Sequence, residues 1–421
     1  MTNAVENSAS PAIRVTMSGV TQFKNCRILY NHRLIREDLW VEDGLIINPE
    51  ELFYKQKRPP TFQVDCKDSI VAPGFIDVQI NGGFGFDFAF DEDKTEDAVS
   101  TVARGILAHG VTSFLPTVIT SAPSVYRKVL PLLRKQPGGE WGAGVLGAHL
   151  EGPFISKEKK GAHPVQHIRE FDEGFVTLKD VYGCLDNVAM VTLAPELPNA
   201  LDAVRGLVDR GIVVSVGHSA GSIVDGERAF ECGAHFMTHL FNAMTKFHHR
   251  DPGIIGMLTS KRLPVQELSY GIISDGIHTH PAALRIAYKT HPTGLCLVTD
   301  AVSAMGLGSG RHHIGDMDVE IQGERAVIAG TDTLCGSIVT MDGCIRHYMH
   351  SARCSTVEAL EAASLHPARA LGIVDKKGTL EFGSDADFVL LSDDVHVRAT
   401  YISGRPVFTA DGQQFLHAPV L

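Results

Sequence analysis

The chain has 421 residues, 44% of them hydrophobic and 21% charged, an ordinary globular composition with too many apolar residues for a disordered chain. Its net charge of −11 excludes a surface built for nucleic acid or acidic lipid, so an anionic ligand has to be met by a local cluster of positive groups. The sequence offers no apolar run long enough to span a bilayer and no basic-then-apolar leader. Its eight cysteines form no C-x-x-C pair, so a reducing cytoplasm is the expected setting.

Residues 1–12 read as a disordered tail. From 13 to 73, short alternating runs such as LWVEDGLII are separated by turn residues, as in a β-sheet. The pattern then changes. Apolar runs at 74–80, 110–118, 145–152, 188–196, 212–219, 234–243, 268–278 and 294–302 are separated by amphipathic stretches such as 96–110 and 199–211. Both of these stretches end in Gly, a common helix terminator. Near-continuous apolar strands between helices belong to a parallel sheet covered on both faces, and eight of them close a (β/α)8 TIM-type barrel. Alternation returns at 378–409. Two β segments that bracket a barrel most simply pair with each other, so the expected organisation is a β-sandwich from 13–73 plus 378–421 and a catalytic barrel at 74–377.

Catalytic groups of such barrels lie at the C-terminal strand ends. Strand 3 ends in His149-Leu150-Glu151, strand 5 in Gly217-His218, strand 6 in Thr238-His239 and strand 8 in Thr299-Asp300. Glu151, His218 and His239 make a three-ligand set with one position left for water, the arrangement of a catalytic metal rather than a structural one. A single strand-end His is more often a hydrogen-bonded structural residue, but three ligand types on strands 3, 5 and 6 argue against that reading. Asp300 is the natural general base for a metal-bound water, its alternative being an N-cap for the segment after strand 8. Strand 1 ends in Gln79 and Asn81, poor ligands for a transition metal. One ion per chain is therefore expected, with the two amides left to hydrogen-bond a neighbouring strand or water. Two imidazoles and one carboxylate suit zinc, iron, cobalt or manganese.

Lys246-Phe247-His248-His249-Arg250 places four potentially cationic residues in five positions. The run is either a solvated loop or part of a phosphate pocket, for which Arg250 supplies a planar fork. Cys335 has no evident base beside it and is not read as a nucleophile. The G-x-G-x-G at 306–310 lacks the strand–turn–helix context of a dinucleotide loop, and residues 82–86 read as a flexible loop at the barrel mouth.

Pro73-Gly74-Phe75-Ile76-Asp77, the histidines of strands 5 and 6, Asp300 and the closing series from Leu365-His366-Pro367-Ala368 to Ala386-Asp387 together resemble the amidohydrolase superfamily. Within it, the ordered set HLEGPF (149–154), GAH (161–163), GHS (217–219), HLFNAM (239–244), DPG (251–253), DGIH (275–278), VTDA (298–301) and GS (336–337) resembles the N-acetylglucosamine-6-phosphate deacetylases over residues 20–409. The resemblance implies one divalent ion, zinc first, and hydrolysis of the acetamide of a sugar phosphate, with Asp300 handling both proton transfers. It further implies a homodimer. Ala162, His163, Asp275 and His278 become substrate contacts, with His163 assigned to the amide carbonyl. Asn242, Ala243 and Arg250 become phosphate contacts, Arg250 across the dimer interface, while Leu334, Cys335 and Gly336 become the remaining substrate loop. The chain departs from many superfamily members in lacking the strand-1 His-x-His that holds a second ion. Together with Ala194-Pro195-Glu196 at the end of strand 4, where a bridging Lys would be needed, this counts against a cyclic-amide hydrolase. A scaffold that has lost catalysis would lack a ligand or the base, and all four are present.

Overall fold

The computed structural model describes residues 19–314, 317–332 and 334–420. The tail expected at 1–12 lies outside them. All eight apolar runs contain parallel strands: β1 Phe75–Ile80, β2 Val111–Ile119, β3 Ala148–Glu151, β4 Val188–Leu193, β5 Val213–Val216, β6 Phe236–Met237, β7 Ser269–Ile273 and β8 Leu295–Val298. They pair in chain order, and backbone bonds from Asp300 N to Gln79 O and from Asn81 N to Ala301 O, both 2.8 Å, close β8 onto β1. Closure explains the absence of alternation along the runs. Ile76, Val78, Leu115, Met190 and Phe236 pack together inside the barrel, while Phe75, Phe114 and Val191 pack outward in the larger core. Both faces are dry.

The two amphipathic stretches fold as expected, with one difference at an end. The first is helical over Thr95–Gly105 and tightens into a 3-10 turn over Ile106–His109, where Gly110 stops it in the left-handed region (φ 78°). The second is helical over Ala200–Val208. After β8 the chain forms a four-stranded antiparallel sheet from Gly310–Ile314, Met317–Gln322, Arg325–Ile328 and Leu334–Gly336. The G-x-G-x-G run is the entry to that sheet rather than a nucleotide loop.

Strands from both ends of the chain share one nine-stranded mixed sheet. Phe62–Pro73 lies at its centre, parallel to Thr21–Tyr30 and antiparallel to Phe388–Leu391. Its core, including Phe23, Val64, Phe388 and Tyr401, is drawn almost wholly from these strands. Phe62–Pro73 runs directly into β1, so the sheet is tied to the barrel at the strand that carries Gln79 and Asn81. Among the described residues, no helix is long and apolar enough to cross a membrane.

Candidate active site

Each metal-type residue stands where its strand ends, and three of the four backbones are strained there. His218 (φ 47°), His239 (φ 27°) and Asp300 (φ 46°) all occupy positive φ, which costs a non-glycine residue about 1–2 kcal/mol. The strain turns each side chain off the barrel wall and over the mouth, a pattern common where function overrides local preference.

Glu151 Oε1 lies 2.9 Å from His239 Nε2 and 3.2 Å from His218 Nε2, and the two nitrogens are 3.1 Å apart. All three residues are buried. The triangle has the edge lengths of one face of a small tetrahedral ion, whose ligands at about 2.0–2.1 Å stand about 3.3 Å apart. Hydrogen bonds alone do not satisfy it, because any placement of protons among three such close atoms leaves either two lone pairs or two protons facing one another. Its electrostatics also call for positive charge. Burial pushes the Glu151 carboxyl up, but hydrogen bonds and charge from His218 and His239 overcome it and hold the group well below the usual carboxylate range. Burial likewise opposes charge on His239, yet Glu151 and Asp300 raise the ring to about 9. A divalent cation fits this donor set. His163 also approaches it: one ligand atom each from Glu151, His163 and His218 lie within 4.8 Å of one another, with His163 Nε2 at 3.8 Å from Glu151 Oε2.

Gln79 and Asn81 take part directly. Gln79 Nε2 donates to Glu151 Oε1 (2.8 Å) and to Asp300 Oδ1 (3.3 Å), and Asn81 Nδ2 donates to Asp300 Oδ1 (2.7 Å). The sequence alone leaves these amides to a neighbouring strand or water. A signal for their role is nevertheless present: an amide at each position where a His-x-His stands elsewhere, next to a register shift of β1 against β2 between Asp77 and Ile80. Burial first, then the charge of Glu151, push the Asp300 carboxyl up to about 6. Asp77, below them, is buried and bonds Thr299 Oγ1 at 2.5 Å, bracing β1 against β8. His149 occupies a strand end without joining the cluster. Its Nδ1 faces Val78 O (3.0 Å) and its Nε2 faces Thr192 Oγ1 (2.7 Å).

The other expected residues surround this centre unevenly. Asp275 accepts from His278 Nδ1 at 2.6 Å and from the backbone N–H groups of Ile277 and His278, both 2.8 Å, so the Asp275 carboxylate shapes its own turn and orients the ring. Asn242 and Ala243 follow β6 in a loop with Phe241 and Ala243 at positive φ, and the Asn242 side-chain nitrogen is buried without a partner. Residues 246–250 are all exposed. Leu334 is exposed and Cys335 half-buried on the last strand of the small sheet, where burial raises the Cys335 thiol above its usual value, away from thiolate character.

A family model of the amidohydrolase family matches residues 70–407. The N-acetylglucosamine-6-phosphate deacetylase of Danio rerio is 58% identical over 396 residues, 94% of this chain and 98% of the relative. The chain belongs to the amidohydrolase family, among its N-acetylglucosamine-6-phosphate deacetylases. Two solved structures agree with this amidohydrolase in fold. The deacetylase of that name from Pasteurella multocida superposes with a TM-score of 0.80 at 28% identity, covering 92% of this chain and 99% of its own. A mutant of the Mycobacterium smegmatis deacetylase, solved in complex with N-acetyl-D-glucosamine-6-phosphate, superposes with 0.79 at 30% identity, covering 93% and 100%.

Proposed function

We propose that the chain hydrolyses the acetamide of N-acetyl-D-glucosamine 6-phosphate to acetate and D-glucosamine 6-phosphate, a step of amino-sugar breakdown. The observation that carries this reading is the buried triangle of Glu151, His218 and His239 beside an Asp300 held by two amides, in a chain with such close deacetylase relatives.

Glu151, His218 and His239 would hold one divalent ion, zinc first and iron, cobalt or manganese as alternatives. When bound, it polarises the carbonyl and acidifies water. Gln79 and Asn81 both grip Oδ1 of Asp300, which leaves Oδ2 for proton transfer. Asp300 accepts a proton from the attacking water. It returns that proton to the amine nitrogen as the C–N bond breaks, so one residue serves as base and then acid. His163 faces the amide carbonyl, and His278, fixed by Asp275, holds a sugar hydroxyl. Ala162 lines the same side, and Leu334, Cys335 and Gly336 supply the loop over the sugar.

The phosphate is met by Arg250, by the Asn242 side chain and by the backbone at Ala243. With a net charge of −11, the affinity for a dianion has to come from such directional contacts. The exposure of residues 246–250 suits an Arg250 that serves the site of a second copy in a cytoplasmic homodimer.

Acetate release from phosphorylated and unphosphorylated N-acetylglucosamine tests the reading. Turnover strongly favouring the phosphorylated sugar is expected. Equal rates, or no acetate from either, would remove it.

A further inference from the structure

Four groups crowd the candidate metal site, and both His163 (3.8 Å) and His218 (3.2 Å) bring Nε2 close to the Glu151 carboxylate. Their outer nitrogens separate them. His218 Nδ1 lies 2.8 Å from Lys159 O. A carbonyl oxygen only accepts, so Nδ1 carries the proton and Nε2 presents a lone pair to the Glu151–His239 triangle, as a metal ligand must.

His163 meets the opposite partner. The backbone N–H of Thr120 donates to His163 Nδ1 at 3.4 Å, and the Thr120 hydroxyl lies 2.7 Å from the same nitrogen. A backbone N–H cannot accept a proton. A proton on Nδ1 would face it head-on, so Nδ1 holds the lone pair and the hydroxyl donates to it as well. In the neutral ring the proton then sits on Nε2. That N–H lies 3.8 Å from Glu151 Oε2, too far for a hydrogen bond, so it is available to another acceptor. A ring nitrogen that accepts these hydrogen bonds carries no proton, so the ring is neutral. Neutral imidazole is an established electrophile for a carbonyl. Gly152 makes the contact possible, since a Cβ there would run into the Thr120 hydroxyl.

We infer that Thr120, at the end of β2, is a positioning residue that places the proton of His163 on Nε2, making His163 a donor to the substrate carbonyl and barring it from the metal. The identity of that carbonyl rests on the function proposed above; the proton position does not.

The test uses holoenzyme labelled with ¹⁵N-histidine, and the loss of one ring signal in His163→Gln assigns the resonance. Protonated Nε2 is expected in the wild-type protein, and protonated Nδ1 overturns the inference. Thr120→Val removes the closer donor at nearly constant volume. It should lower kcat on N-acetylglucosamine 6-phosphate about tenfold, the scale of one hydrogen bond, with KM within about twofold and metal content unchanged. Thr120→Ser should restore most of kcat. Wild-type kcat in Thr120→Val, no rescue by Ser, or loss of metal in step with activity would each overturn it. A wild-type enzyme that releases no acetate would remove the proposed function instead, and the ring spectrum would still decide the proton position. Should Thr120→Val fail to fold, the wild-type spectrum and Thr120→Ser kinetics carry the test.

Discussion

The side-chain amide of Asn81 donates to Oδ1 of Asp300 at 2.7 Å across the seam where β8 closes onto β1. Because Gln79 reaches the same oxygen at 3.3 Å, the strand-1 pair holds the proposed base rather than a second ion. Asn81→Ala should therefore lower kcat about tenfold, the scale of one charge-assisted bond, with the bound ion retained. Steady-state kinetics beside elemental analysis checks this; lost metal at unchanged specific activity per ion would contradict it.

Asp300→Asn keeps the shape of the site and removes the proton acceptor. Turnover should fall by about 10²–10⁴-fold, the usual contribution of a general acid–base group, while fold and metal content stay at wild-type levels. A variant keeping more than roughly a tenth of the rate with metal bound would assign the proton transfers elsewhere.

Metal content separates ligands from the residues behind them. His218→Ala and His239→Ala should each lose the ion and the activity together. Gln79→Ala, which removes a bond to Glu151 rather than a ligand, should keep the ion at saturating metal and bind it about 10-fold more weakly, as outer-shell changes do. Titration with a chelator distinguishes the cases, and stoichiometric loss from Gln79→Ala would enlarge the ligand shell.

Arg250→Ala should reduce kcat/KM for the phosphorylated sugar by roughly 10- to 100-fold, given about 1.5–3 kcal/mol for a charge-assisted bond. The unphosphorylated sugar should hardly respond. If Arg250 serves the partner's site, mixing Arg250→Ala with Asp300→Asn chains should give hybrid dimers with one wild-type site and one doubly impaired site. Equal losses on both sugars would rule out a phosphate role.

Stability has its own pH signature away from the mouth. Burial pushes the Asp342 carboxyl up, but His109 (2.9 Å), Thr340 (2.7 Å) and Arg346 (2.7 Å) overcome it and hold the group well below its usual range. A depressed carboxylate stabilises the fold fully above its unfolded pKa of about 3.9 and loses that contribution as pH falls towards the folded value. The Tm gap between wild type and Asp342→Asn should stay level from about pH 7 to 5 and narrow as pH drops through about 4. A gap that widened on acidification would reverse the assignment.

The barrel was legible along the chain because its signals are local. Eight apolar runs of strand length, most of them with polar residues at their ends, are properties of consecutive positions, and so are the Gly110 and Gly211 that close the two amphipathic stretches. Glu151, His218, His239 and Asp300 were legible for the same reason: in a parallel barrel the strand end is the mouth, so chemistry written there converges whatever the loops do. What the tertiary structure alone decided was which atoms meet. Gln79 and Glu151 are 72 positions apart and Asn81 and Asp300 are 219 apart; no spacing rule links them, because barrel closure selects the partners. The same holds for His163 and His218. Both are buried imidazoles beside Glu151, and only the group behind each ring, the donors of Thr120 or the carbonyl of Lys159, fixes which nitrogen carries the proton and so what each ring can bind.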